Sequence, residues 1–376
     1  MLGYETSTKV PFINEIVEKM FCTLLQVALG VSHEFPYTPN EKEWQALFQI
    51  AKQQCVMGVA YNAISLLPQE ARPPRLIAIN WSGAAEAIRG SNRLINHEAA
   101  RLTQLFAERG MRSAILKGPA NARLYPDSLS RQAGDIDIWV PGGYEKLNRL
   151  LLDMNLISES IPASKLFHQI GFQSEKDILI EVHHKPVECL YQRKKFYNML
   201  NVELEDTTLT PEGFYSPSIR FALIMQLSHL YHHCVKEGVG LKQYMDYFIL
   251  LMHSTEDDRA FARLQVQRFH LVHACAAIMY VLEKVFALPR GLMICPPDQK
   301  RGSRLYNLAI LGGNFGRFNP NHTGKHFILS RWFNDRIESL KWVPFDPLNG
   351  FFRECLYWRN TFLLMPERLR RKKIGL

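Results

Sequence analysis

The chain has no Cys-x-x-Cys pair, no long uncharged apolar run, no internal repeat and no low-complexity segment. Its seven cysteines, at positions 22, 55, 189, 234, 275, 295 and 355, are odd in number and scattered. That argues against a disulfide framework or a zinc ribbon and fits a reducing, cytoplasmic setting. The first apolar stretch, 21–29, follows the charged Glu15, Glu18 and Lys19. It is too short to cross a bilayer and lacks the shape of a signal peptide, so no membrane association is expected. No stacking motif of the common RNA-binding folds is visible.

A length of 376 residues suits two or three domains with a substantial core, and 47% apolar with 22% charged residues is ordinary for a globular chain. The formal charge is +9. Part of the excess lies in Arg368, Arg370, Arg371, Lys372 and Lys373, and part in Arg193, Lys194 and Lys195. A positive surface attracts phosphates, in nucleotides or in nucleic acid. For the tail, a solvated and partly disordered terminus is the plainer reading.

The pattern is helical from about 12 to 110. Phe12, Ile13, Ile16, Val17, Met20 and Leu24 recur at helical spacing, and 41–59 continues in kind. A Pro-rich break at 67–74 precedes a long helix expected over 84–109, with Gly110 placed to cap it. The middle section reads as a strand at 113–116, a helical turn at 120–125, a polar loop at 126–134, a strand through Asp135 and Asp137, and a helix at 144–154. Two strands, 167–172 and 178–183, follow, joined by a turn at 174–177. The order β-α-β-α-β-β predicts an α+β core around a small mixed sheet, flanked by helical regions. The expected division is 1–109 helical, 110–205 α+β core and 206–376 helical. In the last part, 217–234 and 241–253 are strongly periodic, 288–302 reads as a loop, and further helices are expected to about 365.

The informative stretch is Gly134-Asp-Ile-Asp-Ile-Trp-Val140. Apolar Ile136, Ile138 and Val140 alternate with Asp135 and Asp137, so both acids point to one face of a strand. Asp is a poor strand former and an unpaired buried carboxylate is costly. A divalent cation explains the pair directly: Mg²⁺ takes one or two carboxylates and completes its shell with phosphate oxygens and water. A strand edge with solvated acids is the plainer alternative. Glu181 is the only acid within 178–182 and has His183 two residues on, on the same face. If the two strands are neighbours, three acids converge, enough to hold two Mg²⁺ ions that activate a hydroxyl and neutralise a triphosphate. His183 supports metal or acceptor there, or is a strand histidine bonded to backbone. Lys117 and Gly118 close the first strand and open a helical turn, where glycine lets backbone approach a phosphate and a helix N-terminus favours an anion. Lys117 itself and Arg131, just before Asp135, are further phosphate candidates.

Taken together, Ile115-Leu-Lys-Gly118, Leu124-Tyr125, Arg131, Asp135-Ile-Asp137 and Glu181-Val-His183 resemble the nucleotidyltransferase superfamily of polymerase-β type. More narrowly, the chain is similar to a bacterial branch with an L-K-G…L-Y…R…D-I-D pattern. The resemblance covers about 110–190. It departs at Gly118-Pro119, where a second small residue is usual, and in a longer gap between Gly118 and Asp135. It implies transfer of a nucleoside monophosphate from an NTP, ATP among them, to a hydroxyl-type acceptor: a small molecule, a tRNA end or a protein. It implies Mg²⁺ or Mn²⁺ on Asp135, Asp137 and Glu181, with Glu181 on the metal that activates the acceptor. Gly118 and Lys117 would line the triphosphate. The alternative is a nucleotide- or RNA-binding module of the same fold without turnover.

The C-terminal part adds His229, His232, His233, Lys242 and Asp246. His229 and His233 have the i, i+4 spacing of zinc ligands, but no acid lies between them and no third ligand is obvious, so zinc is not expected. Lys242 and Asp246 read either as a surface ion pair or, with His229, as groups that a helix pair presents to nucleotide or acceptor. The narrower branch carries a similar H…G-h-G-L-[KR]…D stretch, which implies the second reading.

Overall fold

The structure, a computed structural model, describes residues 14–159, 168–187, 193–236, 238–314, 336, 337 and 339–374. Four helices come first: α1 (Glu15–Ala28), α2 (Glu41–Gln53), α3 (Met57–Ile64) and α4 (Arg75–Glu108). Asn14 starts α1 by accepting from the Val17 N–H, and Asn40 with Glu43 closes a reciprocal capping box on α2. Residues 12 and 13 of the expected first helix lie outside the described residues. The long helix begins nearer the prolines than the 84–109 expectation. Pro74 fixes an extended backbone immediately before Arg75, and Ile77 and Trp81 already face the core. It ends as expected, with Gly110 left-handed at φ +67°.

The α+β core follows: β1 (Ala114–Ile115), a single turn α5 (Pro119–Ala122), β2 (Ile136–Trp139), α6 (Tyr144–Asp153), β3 (Gln169–Gln173) and β4 (Leu179–His183). The sheet order is β1-β2-β4-β3. β2 runs parallel to β4, and β1 and β3 pair antiparallel on the outside, so the sheet is mixed as the sequence predicts. Parallel pairing of β2 with β4 sets Asp137 opposite Glu181 and Trp139 opposite His183. Ile136, Ile138, Val140, Ile180 and Val182 fall on the other face, packed on Phe106 of α4 and Leu147 and Leu151 of α6. Each such side chain contributes roughly 1.5–3 kcal/mol on burial. A one-residue slip would drive Asp137 and Glu181 into that core, so the same alternation that holds the sheet fixes the register of the acids.

Beyond the sheet come α7 (Arg193–Glu203), a hairpin of β5 (Thr207–Leu209) and β6 (Tyr215–Pro217), α8 (Ile219–Lys236), α9 (Leu241–Met252), α10 (Glu256–Arg268), α11 (Val272–Phe286), α12 (Gln299–Gly312) and α13 (Pro347–Ile374). The hairpin lies where the sequence suggests a return to helix. Its β-branched Thr207 and Thr208 and a turn ending at left-handed Gly213 (φ +93°) favour strands. α12 likewise begins inside the expected 288–302 loop, capped by the Asp298 side chain. α1 to α3 share one apolar core with α8, α9 and α11. Among the described residues no helix is long and apolar enough to cross a membrane. The side chains of Arg193 and of the basic tail at 368–373 lie outside the described ones.

Candidate active site

The pleat delivers Asp137, Glu181 and His183 to one face. One carboxylate oxygen from each acid and a ring nitrogen of His183 all lie within 4.8 Å of one another. His183 Nε2 is 3.0 Å from Asp137 Oδ1 and 3.9 Å from Glu181 Oε2. Asp137 is essentially sealed, with 1% of its side chain exposed, whereas Glu181 keeps 21% and Asp135 38%. Asp135 stands outside the three-residue group but reaches the same cation: Lys117 Nζ is 2.5 Å from Asp137 Oδ2 and 3.6 Å from Asp135 Oδ2.

The electrostatics follow from this packing. Burial alone would raise the Asp137 pKa, but Lys117 and then His183 hold it well below the carboxylate range. At Glu181 burial, followed by the charges of Asp137 and Asp135, outweighs Lys117 and His183 and pushes the pKa up to about 7. Burial works against a charged Lys117, yet Asp135 and Asp137 outweigh it and raise its pKa. Both Asp137 oxygens are partnered, Oδ2 by Lys117 Nζ at 2.5 Å and Oδ1 by His183 Nε2 at 3.0 Å, while the buried His183 Nδ1 makes no hydrogen bond. Buried polar groups are ordinarily satisfied, so the bare ring nitrogen calls for an account. Two carboxylates and an imidazole at this spacing form a donor set that fits a divalent cation.

Gly118 has φ +65°, which a side chain would strain, and a Cβ there would sit 3.6 Å from the Asp135 carbonyl and 4.0 Å from Arg131 Nη1. The turn it opens, α5, has four residues, so the expected helix-dipole attraction for phosphate is slight. Arg131 is not a free phosphate contact. Its Nε and Nη2 both donate to Asp246 at 2.7 Å, and Tyr125 Oη donates to the same carboxylate at 2.7 Å. Asp246 thus pairs with Arg131, and the expected Lys242–Asp246 surface pair does not form. Lys242 has no ion pair or hydrogen bond among the described residues. Its Nζ lies 4.0 Å from where a Cβ on Gly134 would stand, beside Asp135. Burial first, and the Arg131 charge second, lower its pKa.

α9 is set by close packing at its start. A Cβ on Gly240 would come within 2.9 Å of the Asn314 backbone, and Gln54 Oε1 accepts from the Leu241 N–H. α8 is joined to α5 by reciprocal amide bonds between Asn121 and Gln226, at 2.7 and 2.8 Å. His229 lies three residues further along α8. Burial keeps its ring neutral, and the next largest influence is the Lys117 charge, with Asp137 and His183 also felt. His229 packs edge-on against His233 at 4.4 Å between ring centres. Among the described residues no third ligand joins that pair.

Two residues of the site escape a reading of the sequence. His168 stacks obliquely on His183 at 5.2 Å, and burial, then His183, lowers its pKa to about 3. Only its place beside β3 could have pointed to it. Tyr125 holds Asp246; the Leu124-Tyr125 pair was visible, but its partner is 121 positions away.

The model of a family described as uncharacterised nucleotidyltransferase matches residues 40–287. That span takes in α2 to α11 and therefore the sheet together with helices on both sides of it. A search of the curated proteins finds no match. Among solved structures, the crystal structure of an antigenic nucleotidyltransferase-like protein from Paracoccidioides brasiliensis aligns with 51% of this chain and 92% of its own, at 13% identity and a TM-score of 0.29. With its Asp-x-Asp strand paired to a Glu-x-His strand, and the match running over most of its length, this chain belongs to the uncharacterised nucleotidyltransferase family.

Proposed function

We propose that the protein transfers a nucleoside monophosphate from an NTP to a hydroxyl-type acceptor, with a divalent cation held by Asp137, Glu181 and His183. One observation carries the reading. β2 and β4 pair in parallel and in the register that brings a buried aspartate, a half-buried glutamate and an imidazole within 4.8 Å of one another. The cation would neutralise phosphate charge and polarise the acceptor oxygen. Asp135, the most exposed of the acids, adds a carboxylate at the mouth of the site. Lys117, Lys242 and the Nη1 edge of Arg131 surround the Gly118 turn and Gly134, and hold the triphosphate there by charge. Arg131 reaches that place as a positioned group, its other nitrogens committed to Asp246. His229, a buried neutral ring on α8 that feels the Lys117 charge, would offer a hydrogen bond to nucleotide or acceptor.

Incubation of the full chain with each of four labelled NTPs, a divalent cation and a cell extract tests this. The expected result is label transfer to one acceptor class, lost in Asp135→Ala/Asp137→Ala. Transfer that survives the double substitution sinks the site. Cation-dependent NTP binding without any transfer points instead to a binding module of the same fold.

A further inference from the structure

We infer that this site selects a divalent transition-metal cation over Mg²⁺, and that His183 is the residue that makes the choice. The inference rests on the proposed cation site and concerns which ion it takes. His183 follows Glu181 by two on β4, so the pleat sends both side chains to the Asp137 face. Its Nε2 is directed at the acids, 3.0 Å from Asp137 Oδ1 and 3.9 Å from Glu181 Oε2. The ring is 3% exposed, so its position is fixed by packing. Its Nδ1 has no hydrogen-bond partner. A strand histidine kept for structure would be bonded to backbone through one nitrogen; this one spends its only polar contacts on two carboxylates.

The surroundings are also rich in imidazole. His168 lies against His183. Mg²⁺ demands near-octahedral oxygen ligation and gives up its waters reluctantly. Mn²⁺, Co²⁺ and Zn²⁺ accept a neutral imidazole beside carboxylates. A three-carboxylate site leaves the choice to the ion in excess. An imidazole fixed within reach of Asp137 and Glu181 supplies a neutral nitrogen ligand, which Mn²⁺, Co²⁺ and Zn²⁺ take more readily than Mg²⁺.

The test uses metal-stripped full-length protein and the metals alone. Co²⁺ binding is followed by its visible absorption, with Mg²⁺ as competitor, in the wild type, His183→Gln and Asp137→Asn. Most nitrogen-containing sites favour Co²⁺ over Mg²⁺ to some degree, so the decisive quantity is the change in that preference. His183→Gln is expected to narrow the Co²⁺/Mg²⁺ affinity ratio by about 10- to 100-fold while Mg²⁺ binding survives. Asp137→Asn is expected to weaken both ions. Because His183 is buried and its variant could misfold, a second measurement needs no substitution: pulsed EPR of Mn²⁺-loaded wild type should show coupling to one directly bound nitrogen. Mg²⁺ binding that depends on Asp137, with no nitrogen coupling to Mn²⁺ or an unchanged ratio in His183→Gln, overturns this inference and leaves the proposed function standing. Absence of binding by either ion overturns both.

Discussion

Two aspartates are buried on opposite sides of the Gly118 turn, and they are treated differently. Asp246 accepts two hydrogen bonds from the Arg131 guanidinium and one from Tyr125, each at 2.7 Å. Fork-on-carboxylate pairing of this kind is the strongest arrangement available to a buried ion pair. Asp137 is more deeply buried and is held by single contacts, Lys117 at 2.5 Å and His183 at 3.0 Å, and that histidine keeps a bare ring nitrogen. The first carboxylate is a bolt between the loop before β2 and α9. The second is held by a lysine and an imidazole and lies in a set of metal-ligating atoms. The difference separates scaffold from site: Asp246 fixes Arg131 and the chain leading into β2, and Asp137 sits where the paired strands gather a donor set.

If that division is right, the two aspartates fail in different ways. Asp137→Asn should lower nucleotide transfer by about 10³-fold or more, which corresponds to about 4 kcal/mol of transition-state stabilisation. It should cost less folding stability than loss of Arg131, because Lys117 keeps Asp135 at 3.6 Å. Arg131→Met should do the reverse and cost roughly 3–5 kcal/mol of folding stability, because it strands the Asp246 charge away from water. Parallel denaturant unfolding and transfer assays read both. An Arg131→Met protein as stable as the wild type would erase the distinction.

The two neighbourhoods differ in imidazole as well, and that difference gives a pH dependence. His168, His229 and His233 crowd the Asp137 side, and burial keeps all three neutral, with His168 and His233 lowered to about 3. A histidine whose pKa is depressed by folding stabilises fully above about 6.5 and loses that contribution as pH falls toward the folded value. Each therefore costs up to about 1.4 kcal/mol per pH unit through this window. Glu181, raised to about 7, acts in the opposite sense: its contribution is present below about 4.5 and is lost as pH rises through 7. Three histidines outweigh one glutamate, so unfolding free energy should fall from pH 6.5 to pH 4.5. A flat profile would mean that water reaches the histidine layer.

How much of this could be read from the chain itself depends on the distance between partners. The acids were legible because alternation is local: Ile136, Ile138 and Val140 announce the face on which Asp135 and Asp137 stand, and Glu181 and His183 repeat the pattern. Gly110 and the turn at 174–177 were legible for the same reason. The Arg131–Asp246 pair was not, since 115 positions separate the partners and nothing local distinguishes a bolted arginine from one aimed at phosphate. Lys242 and Asp246 misled in the complementary way. Their i, i+4 spacing suggests a pair, but tertiary packing gave Asp246 a better partner and left Lys242 beside Gly134. The start of α4 was obscured by Pro73 and Pro74, which read as a break though a proline also begins a helix well. The hairpin at 207–217 was short enough to be hidden between two helical patterns.

The smallest expected effect is the most discriminating. Lys117 neutralises Asp137 from 2.5 Å and also lies near Asp135. If it belonged to a bolt like Arg131, its removal would loosen the acids and weaken any cation they hold. If the acids are instead a ligand set held by the sheet, Lys117 competes with the metal for the same charge. Lys117→Met should then tighten Mn²⁺ binding by about tenfold, or about 1.4 kcal/mol, while it weakens NTP binding through loss of a phosphate contact. Titrations of Mn²⁺ alone and of NTP alone separate the two effects. Opposite signs for metal and nucleotide are required, because a merely structural lysine would depress both. Parallel losses would move Lys117 into the same class as Arg131 and leave Asp137 as a second bolt.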